Sequence, residues 1–146
     1  MPLIPYLLAL AAGAALTVQI GANAAARRYL GGDAVAAALA SFVIGAVALA
    51  VYGVAMRVPW TLRSALSAPA WVWSGGLLGG FYVVTSVLVG PRLGAAAFLA
   101  LAVLGQLAAS LVVDQFGWLG FAQHPITVAR VVGALMLLGG VLLVTR

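Results

Sequence analysis

The sequence predicts an all-α integral membrane protein with five transmembrane helices, and three observations carry that prediction. Only 7 basic and 2 acidic side chains occur among 146 residues, whereas about a quarter of a soluble domain is charged. Hydrophobic residues make up 66% of the chain and mean hydropathy is +1.23. That balance excludes a water-soluble fold, and it excludes disorder too, which needs low hydrophobicity and high charge. The apolar residues also fall into continuous runs of roughly 20, the length of a bilayer-spanning helix. Such runs are too long and unbroken for the alternating strands of an outer-membrane barrel.

The first run covers residues 4–26 and closes on Arg27-Arg28. A cleaved signal peptide competes with this reading, because Ala22-Asn23-Ala24 has the small-x-small form. The absence of Lys or Arg ahead of the run, and its length, favour a retained span. Gly31-Gly32-Asp33 then breaks the chain, and Asp33 is placed to cap the next helix by accepting a backbone N–H. The second span is 34–56. Residues 57–69 (RVPWTLRSALSAP) form a polar-aromatic connector expected along the interface. The third span, 70–89, is expected to stop at Gly90-Pro91-Arg92, where proline does not extend a helix. That hairpin is short, so the third and fourth spans should be antiparallel neighbours. The fourth span is 95–113, a second aromatic connector follows at 114–126 (DQFGWLGFAQHPI), and the fifth span is 127–145. Residues 1–146 are read as one five-helix transmembrane domain.

All seven basic residues are Arg, at 27, 28, 57, 63, 92, 130 and 146. They are scattered at the ends of apolar runs, the usual place for membrane flanks, and form no stripe for nucleic acid. Five spans put Arg57, Arg63 and Arg130 on one side, against Arg27, Arg28, Arg92 and Arg146 on the other. Orientation follows the Lys/Arg excess in short loops. Three against four leaves a single orientation and dual topology both open. Trp60, Trp71, Trp73 and Trp118 sit at span ends, as in an aromatic belt.

In hydrocarbon, polar side chains must be partnered or line a cavity, so the few present carry information. Gln19 and Asn23 are four apart and share one face of the first span. Ser41, Gly45, Ala48 and Tyr52 share a face of the second. Gly75, Gly79, Tyr82 and Ser86 do so in the third, and Gln106, Ser110 and Asp114 in the fourth. Gly45, Gly75, Gly79, Gly133 and Gly140 are read as helix-packing positions. Gln19, Asn23, Tyr82, Ser86, Gln106 and Ser110 are the candidate substrate-binding residues, with interhelical hydrogen bonding as the competing role. Asp114, at a membrane edge, is read as structural or interfacial, with coupling as the alternative. No Cys is present, and His124 has no acidic neighbour with which to make a metal site. Without a nucleophile–base pair or a phosphate loop, an enzyme is not expected, nor is a cofactor. No acid lies deep in a span and no Lys occurs, so proton–cation exchange through a central carboxylate has no candidate.

Three stretches resemble a known family: VQIGANAAARRYLGGDAVAAALASFVIGAVAL, the central WVWSGGLLGGFYVVTSVLVGPRLGAAAFLALAVLGQLAASLVVDQFGWLGF, and the closing RVVGALMLLGGVLLV. They are similar, in order and along nearly the whole chain, to the YdcZ-like group of inner-membrane exporters in the drug/metabolite transporter (DMT) superfamily. The resemblance implies a multi-pass protein of the bacterial inner membrane that transports small molecules. It also implies one half of a ten-helix inverted-repeat architecture, completed by a second copy as an antiparallel homodimer within membrane lipid. The small four-helix relatives use a membrane-embedded Glu in the first helix, which this sequence lacks. In an inverted pair, Gln19 of one chain is expected level with Gln106 of the other, with Tyr82 and Ser86 as an aromatic wall and a hydroxyl. Neutral amides favour a neutral, zwitterionic or anionic-group substrate over a bare cation. The runner-up function is a non-transporting scaffold or accessory subunit of a partner protein.

Overall fold

The structure, a computed structural model, describes residues 3–59 and 61–146, with Leu62 and Ser64 described by backbone alone. Trp60, expected in the aromatic belt, lies outside the described residues. The elements are α1 (Leu3–Tyr29), α2 (Ala34–Ala55), a one-turn α3 (Leu62–Leu66), α4 (Ser74–Leu93), α5 (Ala95–Phe116) and α6 (Val128–Val144). A 3-10 turn at Ala70–Trp73 leads into α4, and another at Trp118–Gly120 follows α5. No strand occurs among the described residues. Among the described residues four helices are long and apolar enough to cross a membrane: α1, α2, α4 with its 3-10 lead-in, and α5. The fifth apolar helix, α6, has 17 residues, about 26 Å at 1.5 Å per residue, the short end of spanning length. The chain divides into two compact units, Met1–Pro91 and Arg92–Arg146.

In the first unit α1 and α2 form an antiparallel hairpin. Gly31 and Gly32 take the left-handed φ values +68° and +79°, and the Gly32 N–H donates back to Arg27 O at 2.9 Å, closing the end of α1. Asp33 caps α2 as expected, its carboxylate accepting from the Ala36 N–H at 2.7 Å. The core consists of small side chains. Ala34, Ala37 and Ala38 of α2 pack on Val83 and Val87 of α4, with Ala26 of α1 and Tyr82 beside them. Small residues let helices approach closely where lipid offers no hydrophobic drive. A Cβ on Gly90 would sit 3.2 Å from Ile20 Cγ2, and one on Gly79 would sit 3.4 Å from Phe42 Cζ. Helix α4 therefore packs on both members of the hairpin.

Helices α1 and α5 run three residues past the expected ends at 26 and 113, and the end of α4 differs most. Helix α4 does not stop at residue 89; it runs through Pro91 to Leu93. Pro91 has no N–H to donate to Val87 O and its ring crowds that carbonyl, and only Arg92 and Leu93 follow it in the helix. The break falls instead at Gly94, whose φ of +86° favours glycine. In the second unit α5 and α6 pack against each other.

Candidate functional site

A half-open pocket of about 340 Å³ lies between α1 and α2, lined by Gln19, Ser41, Phe42, Gly45, Ala46 and Leu49. Gln19 stands ten residues before the end of α1, and Gly45 eleven residues into α2. At 1.5 Å per residue both lie about 15 Å from the hairpin loop, near the middle of a bilayer core about 30 Å thick. Neither the Gln19 amide nor the Ser41 hydroxyl makes a hydrogen bond among the described residues. Other hydroxyls on the helices turn inward: Ser86 Oγ donates to Val83 O at 2.7 Å, Ser110 Oγ to Leu107 O at 2.9 Å and Thr145 Oγ1 to Val141 O at 2.9 Å. The polar groups at the pocket thus keep their donors and acceptors available.

Of the residues singled out from sequence, the structure gathers Gln19, Ser41 and Gly45 at this pocket. Asn23, Tyr82 and Ser86 lie in the same unit but do not line the pocket. Asn23 is 6% exposed, and its Nδ2 has no hydrogen-bond partner among the described residues. Tyr82 is half-buried against the α2–α4 core, and Ser86 is fully buried. Gln106 and Ser110 are exposed on α5, in the second unit. The glycines divide as well. A Cβ at Gly79 would stand 3.4 Å from Phe42 Cζ, whereas one at Gly45, Gly75, Gly133 or Gly140 would meet nothing within 4 Å. A Cβ at Gly90, expected from sequence to be part of a loop, would come within 3.2 Å of Ile20 Cγ2.

The second unit holds a denser polar cluster. Asp114 Oδ2 accepts from Arg130 Nη2 at 2.5 Å, and Arg130 Nη1 donates to His124 O at 2.8 Å. The His124 N–H donates to Asp114 O, Gln123 Nε2 to Gln115 O, and the Ile126 N–H to Gln115 Oε1. The connector is thereby folded back on the last turn of α5. Asp114 in a C-terminal turn and Arg130 in an N-terminal turn are each disfavoured by their helix dipoles; pairing offsets both. The sequence signal was two opposite charges bracketing one connector, but sixteen residues separate them. Gly117 makes the fold-back possible, with φ +64° and Gln123 Cβ 3.3 Å from where its own Cβ would stand. Phe116 and Trp118 stack with centroids 4.8 Å apart, and both are exposed together with Phe121.

Residues 4–143 match the family described as "Putative inner membrane exporter, YdcZ". The chain belongs to that family. No curated relative and no solved structure matches it. Membership of the YdcZ family makes the chain a membrane protein of an exporter group rather than an enzyme group, in keeping with its apolar helices. This YdcZ-family chain carries its two acids at helix ends: Asp33 caps α2 and Asp114 lies in the last turn of α5. No group of three His, Cys, Asp or Glu that could hold a metal ion occurs among the described residues.

Proposed function

We propose that this chain is a small-molecule transporter of the bacterial inner membrane, working by alternating access as an antiparallel homodimer. Each chain supplies one half of a DMT-type ten-helix inverted repeat. The observation that carries the reading is the α1–α2 pocket at mid-membrane height, with an unbonded amide and hydroxyl facing it. Five helices offer such a pocket too few walls. An inverted second copy adds the missing ones and creates a midplane site at the repeat interface. In that arrangement Gln19 and Ser41 of one chain meet Gln106 and Ser110 of the other, while Asn23, Tyr82 and Ser86 support the wall. The three-to-four division of Arg residues supports insertion in both orientations. Asp114, paired with Arg130, is assigned to holding the connector rather than to coupling.

The test is ligand-dependent melting of the purified protein in detergent across a metabolite panel. A ligand bound by the folded state alone at 100 times its Kd adds about 2.7 kcal/mol. At least one compound should stabilise the wild type, and Gln19→Leu and Gln106→Leu should each abolish the effect with the dimer intact. Variants that dissociate into monomers would instead make the amides packing groups. A protein stabilised by a partner protein and by no small molecule would be an accessory subunit. Cysteines at Leu66 and Leu93, labelled from one side of the membrane, should both react in partial yield. Exclusive labelling of one would establish a single orientation.

A further inference from the structure

Resting on the transport reading, we infer that the α1–α2 pocket takes an uncharged solute with a flat apolar body and one hydrogen-bonding head, and that Gly45 sets the size of body admitted. None of the six lining residues is charged. The nearest formal charges along the same helices are Arg27 and Asp33, each eight residues from a lining residue, about 12 Å along the axis. Both are engaged at the hairpin loop: Arg27 Nε donates to Gly32 O at 2.5 Å, and Asp33 accepts from Ala36 N. An ion at mid-membrane height without a counter-charge is strongly disfavoured, so the pocket selects against either sign.

The head and body follow from the two kinds of wall. Gln19 offers a carbonyl acceptor and an NH₂ donor, and Ser41 a hydroxyl that does both; neither makes a hydrogen bond among the described residues. Opposite in character are Phe42, Ala46 and Leu49. The tip of the Phe42 ring lies over Gly79 of α4, its Cζ 3.4 Å and its Cε1 3.7 Å from where a Cβ on that glycine would stand. The exposed ring offers a flat surface against which another ring stacks. Gly45 lies one turn from Ser41 and one turn from Leu49, in the middle of the lining. A Cβ there would meet nothing within 4 Å, so a side chain at this position grows into free volume. About 340 Å³ is at the small end of ligand pockets, and each carbon added at position 45 excludes a larger share of bodies.

The probes are benzyl alcohol, the wider 2-naphthalenemethanol, and the charged counterparts benzoate and benzylamine, titrated into purified protein in detergent and read by calorimetry. Both alcohols should bind the wild type at least tenfold more tightly than either charged analogue. Gly45→Ala should weaken the naphthyl probe tenfold while leaving benzyl alcohol within about twofold. Gly45→Leu should abolish both and melt, without ligand, at or above the wild-type temperature. That last reading separates a filled pocket from a damaged fold. Charged analogues binding as well as the alcohols would overturn the solute class. Alcohol binding that survives Gly45→Leu would be partition into the micelle and would overturn the site. If no probe binds, this inference fails while a stabilising hit in the metabolite panel keeps the transport reading standing; no hit in either removes both.

Discussion

Between α1 and α2, Gln19 and Ser41 face a half-open pocket without a hydrogen bond among the described residues. After α5, by contrast, Asp114, Gln115, Gln123 and Arg130 bond one another and the connector backbone. Gln19 stands near mid-membrane height and Ser41 about 10 Å into α2; the second group stands at helix ends, where free carbonyls and N–H groups offer partners. A side chain deep in a span whose donors stay open is available to a ligand. One that closes on its own backbone holds a loop. The difference lies in bonding and not in residue type, since each region contains Gln.

The largest expected effect tests the closed region. Asp114→Ala and Arg130→Ala should each destabilise the protein by about 2 kcal/mol, because each leaves a partly buried charge unpaired. The double variant should cost less than the sum, with a coupling of about 1–2 kcal/mol in a double-mutant cycle of melting. Benzyl alcohol binding should be unchanged in all three. A coupling near zero would leave Gln115 and the backbone bonds to hold the connector. Lost binding with unchanged melting would move Asp114 out of the structural group and into the transport site.

Next in size is the glycine that lets the connector turn. Gly117→Ala should cost about 1–2 kcal/mol, since it combines a left-handed backbone with a Cβ pressed to 3.3 Å from Gln123 Cβ. Gly120 has φ +85° but no atom near its Cβ position, so Gly120→Ala should cost about 1 kcal/mol from the backbone alone. The gap between the two variants measures the packing contact. Equal losses would show that Gln123 yields and the fold-back is looser than its hydrogen bonds suggest.

Much of this was legible in the sequence where the physics is local. Five apolar runs mark five helices, and Asp33 in front of an alanine-rich run marks a cap. Non-local features were not legible. Helical periodicity places Asn23 on the face of Gln19 but does not say which face meets a neighbour, so its burial could not be read. The pairing of Asp114 with Arg130 depends on how the connector turns, which three left-handed residues, Gly117, Leu119 and Gly120, decide. Pro91 reads as a helix end because proline has no N–H and crowds the carbonyl four residues back, yet α4 carries it two residues from its end and Gly94 ends the helix.

The smallest predicted effect has the opposite sign and sharpens the comparison within a single helix. Asn23 is one turn from Gln19, yet it is 6% exposed and its Nδ2 donates to nothing among the described residues. A buried donor left without a partner costs about 1–3 kcal/mol, whereas an apolar group of similar shape in its place is neutral or stabilising. Asn23→Leu should therefore raise stability by about 1 kcal/mol and leave benzyl alcohol binding as it was. Gln19→Leu should do the reverse, leaving melting unchanged and removing the ligand. If Asn23→Leu raises the melting temperature and also abolishes binding, the unbonded amide belongs to the path of the solute, and the polar site extends one turn from the pocket toward Arg27. If it lowers stability instead, Nδ2 has a partner in the folded protein, a bound water or a second copy of the chain, and the boundary between open and closed polar groups falls between residues 19 and 23 of α1.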